Sequence, residues 1–212
     1  MKKLHVAAFV IIAMAGSGPT HAQVYGQFTG AETVPVGGHL FGAYAFSSEN
    51  VVGLLSQLRL SFYPHVDFGF QGGIARQDYK GGNRTTIRLG TDLKVKVLDA
   101  SAQLPVTVAI GGDLGVESGD DFNVLTLGPT VVAGRYFTLG QNSGVTPYAR
   151  VGLAITNIDV GPLKETDISV PLRLGGDFRV APELRLALEL QLHLGDVFND
   201  NVGLAAGVNL PF

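Results

Sequence analysis

From Leu184 to Leu194 every second residue is leucine, and Arg185, Ala187, Glu189, Gln191 and His193 lie between. Successive side chains of a strand point to opposite faces, so the run predicts a strand with one wholly apolar face and one mostly polar face. A helix, with a period of 3.6, would scatter the leucines round its circumference. About eleven residues is the length a tilted strand needs to cross the hydrocarbon core of a bilayer.

The pattern recurs through most of the chain, which predicts about ten strands from residue 37 onward, with eight as the alternative count. The first, 37–47, sets Leu40, Tyr44 and Phe46 on one face. The second, 51–63, sets Leu54, Leu58, Leu60 and Phe62 against Gln57, Arg59 and Ser61. The third, 67–79, sets Phe68, Phe70 and Ile74 against Gln71, Ala75 and Gln77. In the fourth, 84–98, Ile87, Leu89, Leu93, Val95 and Val97 alternate with Arg88, Asp92, Lys94 and Lys96. The fifth is 104–117. The sixth, 122–139, alternates less well and contains Pro129, which lacks a ladder donor and predicts a bulge. Strands at 145–158, 168–180, 184–194 and 202–212 follow. The connections fall into two sets. One is 64–67, 99–103, 140–144 and 181–183. The other is 78–83, 118–121, 159–167 and 195–201, mostly longer and richer in Asp, Asn and Gly. Short turns on one side and longer loops on the other are the mark of a transmembrane barrel.

Periodicity leaves open which face is outside. A soluble lipocalin-like barrel would turn the apolar face inward, and a two-sheet sandwich would bury it between sheets. Ten strands with about five large apolar side chains each overfill the lumen of a small barrel. Phe62, Tyr63, Phe68, Tyr136, Phe137, Tyr148, Phe178 and Phe212 gather near the short-turn end, like an interfacial girdle, although Tyr63 and Tyr148 lie on the polar face by parity. Phe46, Tyr79, Phe122 and Phe198 form a thinner set at the other end.

Composition narrows the picture further. The 212 residues are 46% hydrophobic and 16% charged, with 29 glycines, no cysteine and a formal charge of −3. Disulfides and thiolate metal sites are excluded, and the small charge points away from nucleic acid. Lys2, Lys3, the apolar run 6–15 and Thr20-His21-Ala22 read as a signal peptide over 1–22, giving export through the periplasm. Residues 23–36 alternate poorly and read as a leader, lying at the barrel's lower rim or adding a piece of strand. The barrel domain is 37–212.

The closing strand, 202–212, carries Val202, Leu204, Ala206, Val208, Leu210 and Phe212 on one face and ends on the aromatic. It resembles the last strand of bacterial outer-membrane β-barrel proteins, with Pro211 a departure. The likeness extends as a pattern over the whole chain, to the small single-domain OmpA-barrel and OmpX-like proteins. It implies an all-β, up-and-down antiparallel transmembrane β-barrel in the outer membrane, embedded in the lipid bilayer. It also implies delivery by the barrel-assembly machinery, which reads Phe212, and a monomer.

With the apolar face on lipid, the other face lines the lumen with Arg59, Arg88, Asp92, Lys94, Asp113, Arg150, Arg173, Asp177, Arg185 and Glu189, joined by Lys96, Glu117 and Arg179. Charges so confined must be paired or hydrated. Strand pairing through the 181–183 turn sets Arg185 near Asp177 and Glu189 diagonal to Arg173. The expected lumen is therefore narrow, charge-lined and plugged, in a barrel with a membrane-structural or surface-interaction role. The alternative is a passive, porin-like channel for small solutes with a slight preference for anions. A second alternative is an outer-rim enzyme using Ser169, His193 and Glu117, which share no motif spacing. His39 and His65 stand alone, and neither 118–121 nor 196–201 has the spacing of a calcium loop. Catalysis, cofactor and metal are not expected.

Overall fold

A computed structural model describes residues 28–79, 82–161, 163–194 and 202–212, without the side chains of Tyr79, Leu163 and His193. The segment 1–22, the first five residues of the leader (23–27) and the loop 195–201 lie outside the described residues. The strands are β1 His39–Ser48, β2 Val51–Tyr63, β3 Val66–Tyr79, β4 Gly82–Leu98, β5 Thr107–Gly119 and β6 Phe122–Gly134. They continue with β7 Phe137–Thr138, β8 Gly144–Gly152, β9 Ala154–Val160, β10 Leu163–Ala181, β11 Leu184–Leu194 and β12 Val202–Pro211. All pair antiparallel, and β12 returns to β1. β8 and β9 lie end to end between β6 and β10, while β7 is a short addition beside β8. The result is a closed, up-and-down barrel of 10 strands. The seam is fastened at the last residue, where Phe212 and His39 exchange two backbone hydrogen bonds of 3.0 Å and stack their rings.

The barrel is apolar outside and polar inside. Leu54, Ile74, Ile87, Leu89, Leu114, Leu174 and Leu188 point outward and are 42–60% exposed, while Arg59, Arg88, Lys94, Glu117 and Glu189 are at most 1% exposed. This excludes the lipocalin-like barrel and the sandwich, which would bury the leucines. A continuous apolar belt of this kind far exceeds the few hundred Å² of apolar patch that soluble proteins tolerate, so it needs a bilayer. An outward arginine tests this by depth. Leu174→Arg, in the middle of β10, is expected to destabilise the barrel by about 2–4 kcal/mol, and Leu98→Arg, at the end of β4, by less than about 1 kcal/mol. Urea unfolding in phospholipid vesicles reads both.

The fold departs from the sequence expectations in four places. Pro129 makes no bulge in β6, whose register with β5 runs unbroken. The interruption falls on the neighbouring stave at Leu153, between β8 and β9, without a change of register. Pro129 on β6 and Pro171 on β10 flank that point, and neither can donate to the ladder. Second, the strands extend into most of the segments read as loops, β3 running to Tyr79, β4 starting at Gly82, β5 running to Gly119, β9 to Val160 and β10 starting at Leu163. Asp121 (φ 51°) and Gly161 (φ 57°) supply left-handed turns. Beyond the apolar belt both strand faces can be polar while the ladder continues: Lys164 pairs with Asp159 at 3.1 Å, and Thr166 Oγ1 donates to Asn157 Oδ1 at 2.8 Å. Third, Leu40, Tyr44 and Phe46 point into the lumen, and β1 presents Phe41, Ala43 and Ala45 outside. Fourth, Phe122 is also internal, so it and Phe46 form no second girdle; Phe198 lies outside the described residues. Phe62, Tyr63, Tyr136, Phe137, Phe178 and Phe212 are exposed near the rim that carries Phe212, whereas Tyr148 is buried in the lumen.

Candidate functional site in the barrel lumen

The lumen is occupied by the chain's own leader. From Gly37, whose N–H donates to Ser61 O at the rim, residues 36 back to 28 run inward between the strands. Phe28 is 1% exposed and stacks on Tyr44, with ring centroids 4.2 Å apart. Around that pair Phe46, Val51, Leu55, Ala75, Ala187 and Ala205 form an apolar layer across the barrel. Ala31 packs in a second cluster with Ala109, Val132 and Tyr148. A third, Phe122, Val124 and Ile158, lines the far end.

An extended segment that joins no ladder must satisfy its backbone groups otherwise. Here the wall side chains do so. Asn209 Nδ2 donates to Phe28 O at 3.2 Å, and an Arg150 terminal nitrogen to Thr29 O at 2.9 Å. Lys94 Nζ donates to Thr29 Oγ1, Gly30 O and Glu32 O at 3.1, 3.0 and 2.7 Å. In return, Val34 N–H donates to Asp67 Oδ2 at 3.1 Å. The Glu32 carboxylate accepts from Thr107 Oγ1 at 2.9 Å and pairs with Lys96 at 3.4 Å. Lys96 also pairs with Asp99, in the turn beyond β4, at 2.5 Å; that hydrogen bond holds the Asp99 carboxyl below the usual carboxylate range.

The wall charges form separate groups. Arg59 grips Asp92 with two nitrogens, at 3.0 and 2.7 Å, and also bonds Asp67. Gln71 Nε2 donates to Asp92 at 2.5 Å, and Lys94 reaches Asp67 at 3.5 Å. Further along, Glu117 accepts from Gln77 and Thr86 at 2.6 and 2.5 Å and pairs with Arg88 at 3.0 Å. On the opposite wall Tyr148 Oη and Gln191 Nε2 donate to Glu189 at 2.8 and 2.5 Å, and Arg173 stands 4.0 Å away. The Tyr148 ring lies where a Cβ on Gly175 would meet it, so this close approach needs glycine. Arg185 is 3.5 Å from Asp177. Tyr44 Oη donates to Asn209 and accepts from Gln57 at 2.6 Å. Asp113 is half-buried on the same lumen face of β5.

All ten charged residues read as lumen-lining thus lie inside, in several groups rather than one site. Of the three rim-enzyme candidates, Glu117 is committed to Arg88, Gln77 and Thr86, Ser169 is buried on β10, and the His193 side chain is outside the described residues. The leader's path, Asp67 and Asn209 are not among the sequence-predicted lumen features, whereas Gln71 lies on the polar face predicted for it. Asp67 reads as a turn residue, yet its parity with Gly69 and Gln71 already places it inside. The leader carries no periodic signal because it joins no ladder, and several of its contacts are made by carbonyls, which every residue has.

No family model and no curated protein matches the chain. Solved structures do. The β domain of the Bordetella autotransporter BrkA aligns with a TM-score of 0.52 at 15% identity, over 84% of this chain and 100% of that one. An outer membrane channel from Pseudomonas putida F1 aligns at 0.47 and 11% identity, over 86% and 98%. The N-terminal β-barrel domain of Pseudomonas aeruginosa OprF aligns at 0.35 and 6% identity, over 84% and 98%. At such identities the likeness is one of fold, and only the first exceeds one half in TM-score. With a closed ten-strand barrel, an apolar outer belt and a charged interior, the chain has the fold of the bacterial outer-membrane β-barrels.

Proposed function

We propose that this protein is a monomeric barrel of the bacterial outer membrane, held closed by its own leader, with a membrane-structural or surface-interaction role rather than that of an open pore. The observation that carries the reading is the anchoring of residues 28–32 to opposite walls by Lys94, Arg150 and Asn209. A strand segment plus its hydration fills much of a lumen that ten strands make only slightly wider than a side-chain-filled one. The rim carrying Phe212 faces the periplasm in this reading, with the hairpin tips outside, and Phe212 serves delivery by the assembly machinery. No catalysis is assigned.

Planar-bilayer recording tests it. The full chain is expected to give no steady current, and a chain lacking residues 23–36 to give ohmic current while keeping the gel-mobility difference between unheated and boiled samples. Steady current through the full chain contradicts the closed barrel. It would favour the alternative of a passive small-solute channel, which draws support from a cavity of about 690 Å³ beside the leader at the Phe212 rim.

A further inference from the structure

That cavity has an unusual wall. Arg179 on β10 and Arg185 on β11 are direct cross-strand partners, and both face it. Like charges placed opposite each other on one face of a sheet repel, so a sequence that keeps them needs a compensating group. The remaining charges of the wall supply only part of it. Arg59 is occupied by Asp67 and Asp92, and Lys94 by Asp67 and the leader. Glu32 is taken by Lys96 and Thr107. Asp177 pairs with Arg185 at 3.5 Å. Arg179 forms no ion pair among the described residues; its guanidinium lies over the Tyr136 ring, 5.3 Å from the centroid. The Nε atoms of both Arg179 and Arg185 are buried without a hydrogen-bond partner. A register shift between Arg179 and Ala181 sits immediately beside the pair, the kind of irregularity that re-aims side chains.

We propose that this vestibule is a binding site for a phosphoryl group, clasped between Arg179 and Arg185, whether carried by a small soluble phosphate or by a phospholipid headgroup. Two guanidinium forks match the tetrahedral oxygens of phosphate better than point charges do. Tyr136 holds the Arg179 plane by cation–π contact, which pre-orients its donors. The site lies between the leader and the rim, so it is independent of whether the lumen conducts.

The test is calorimetric titration of the full protein in maltoside micelles and phosphate-free buffer, with two probes: inorganic phosphate and a short-chain phosphatidic acid. Saturable binding of either supports the site, provided that Arg179→Gln and Arg185→Gln each weaken it at least tenfold and Lys164→Gln, at the far hairpin tip, leaves it unchanged. Saturation by phosphate assigns a soluble ligand, and saturation by phosphatidic acid alone assigns a headgroup. Each variant is first checked for the folded gel band. If a Gln variant lacks it, the matching Lys variant is read instead, with the same tenfold loss expected because an ammonium cannot form the fork. Failure of both probes to saturate overturns the proposal, as does equal binding by wild type and variants.

Discussion

Replacing Asp92 by alanine is expected to be the most damaging single substitution in the barrel, lowering its stability by about 3–5 kcal/mol, the usual effect of removing one partner from a buried ion pair. Asp92 is 3% exposed and takes both arms of Arg59 while accepting from Gln71. Without it Arg59, at 0% exposure, keeps only Asp67, whose other oxygen already serves Lys94 and Val34. Gln71 loses its acceptor as well. Asp92→Asn keeps the shape and one carbonyl acceptor, so it should fall between wild type and alanine. Arg59→Met combined with Asp92→Ala should be less destabilised than the two single effects added, because neither charge is then left alone; a coupling of about 0.5–3 kcal/mol is the range for groups in direct contact. Urea titrations in vesicles, followed by the folded and unfolded bands on unheated gels, give all four values. An Asp92→Ala effect under about 1 kcal/mol would mean that Arg59 is solvated rather than locked in the lumen.

The second large effect belongs to Lys94→Met. Its ammonium makes three of the contacts that hold the leader, at 2.7–3.1 Å. Hydrogen bonds to a charged group contribute about 1.5–3 kcal/mol each. Allowing for their mutual dependence, a net loss of about 3 kcal/mol raises the population with an unfastened leader about a hundredfold. Methionine keeps the length of the side chain, so the wall stays filled. Bursts of current are therefore expected from Lys94→Met in bilayers where wild type is silent, without loss of the folded band. Lys164→Met, at an exposed hairpin tip, should stay silent.

How far the sequence shows this structure depends on what each segment buries. In β11, and in β2 and the 87–97 run of β4 apart from Ser56 and Thr91, one face is apolar and the other mostly polar, so parity alone divides lipid from lumen, and the charged lining from Arg59 to Glu189 follows from it. β1 defeats the same rule. Its larger side chains turn inward to pack on Phe28, and its outer face makes do with Phe41 and two alanines. The hairpin tips mislead for a different reason: Asp, Asn and Gly read as loop, but a ladder outside the bilayer has no apolar face to declare it. The leader is least legible, since much of its place is fixed by Lys94, Arg150 and Asn209 reaching its carbonyls, and the side-chain contacts of Phe28, Thr29, Ala31 and Glu32 follow no strand or helix period.

The lumenal leader can be tested with one disulfide, because the chain has no cysteine of its own. A Cβ built on Gly30 lies 3.4 Å from Thr146 Cγ2, which occupies a position open to a cysteine sulfur. In a disulfide the Cβ atoms stand roughly 3.5–4.5 Å apart, and a Cβ on Gly30 meets nothing nearer than that 3.4 Å contact. Gly30→Cys with Thr146→Cys, oxidised in the folded state and analysed by mass spectrometry of the digested protein, should give a cross-linked peptide joining leader to β8 in high yield. Both thiols remaining free, with the Cys at 30 reacting with a water-soluble maleimide in the folded protein, would place the leader outside the lumen and contradict the closed barrel.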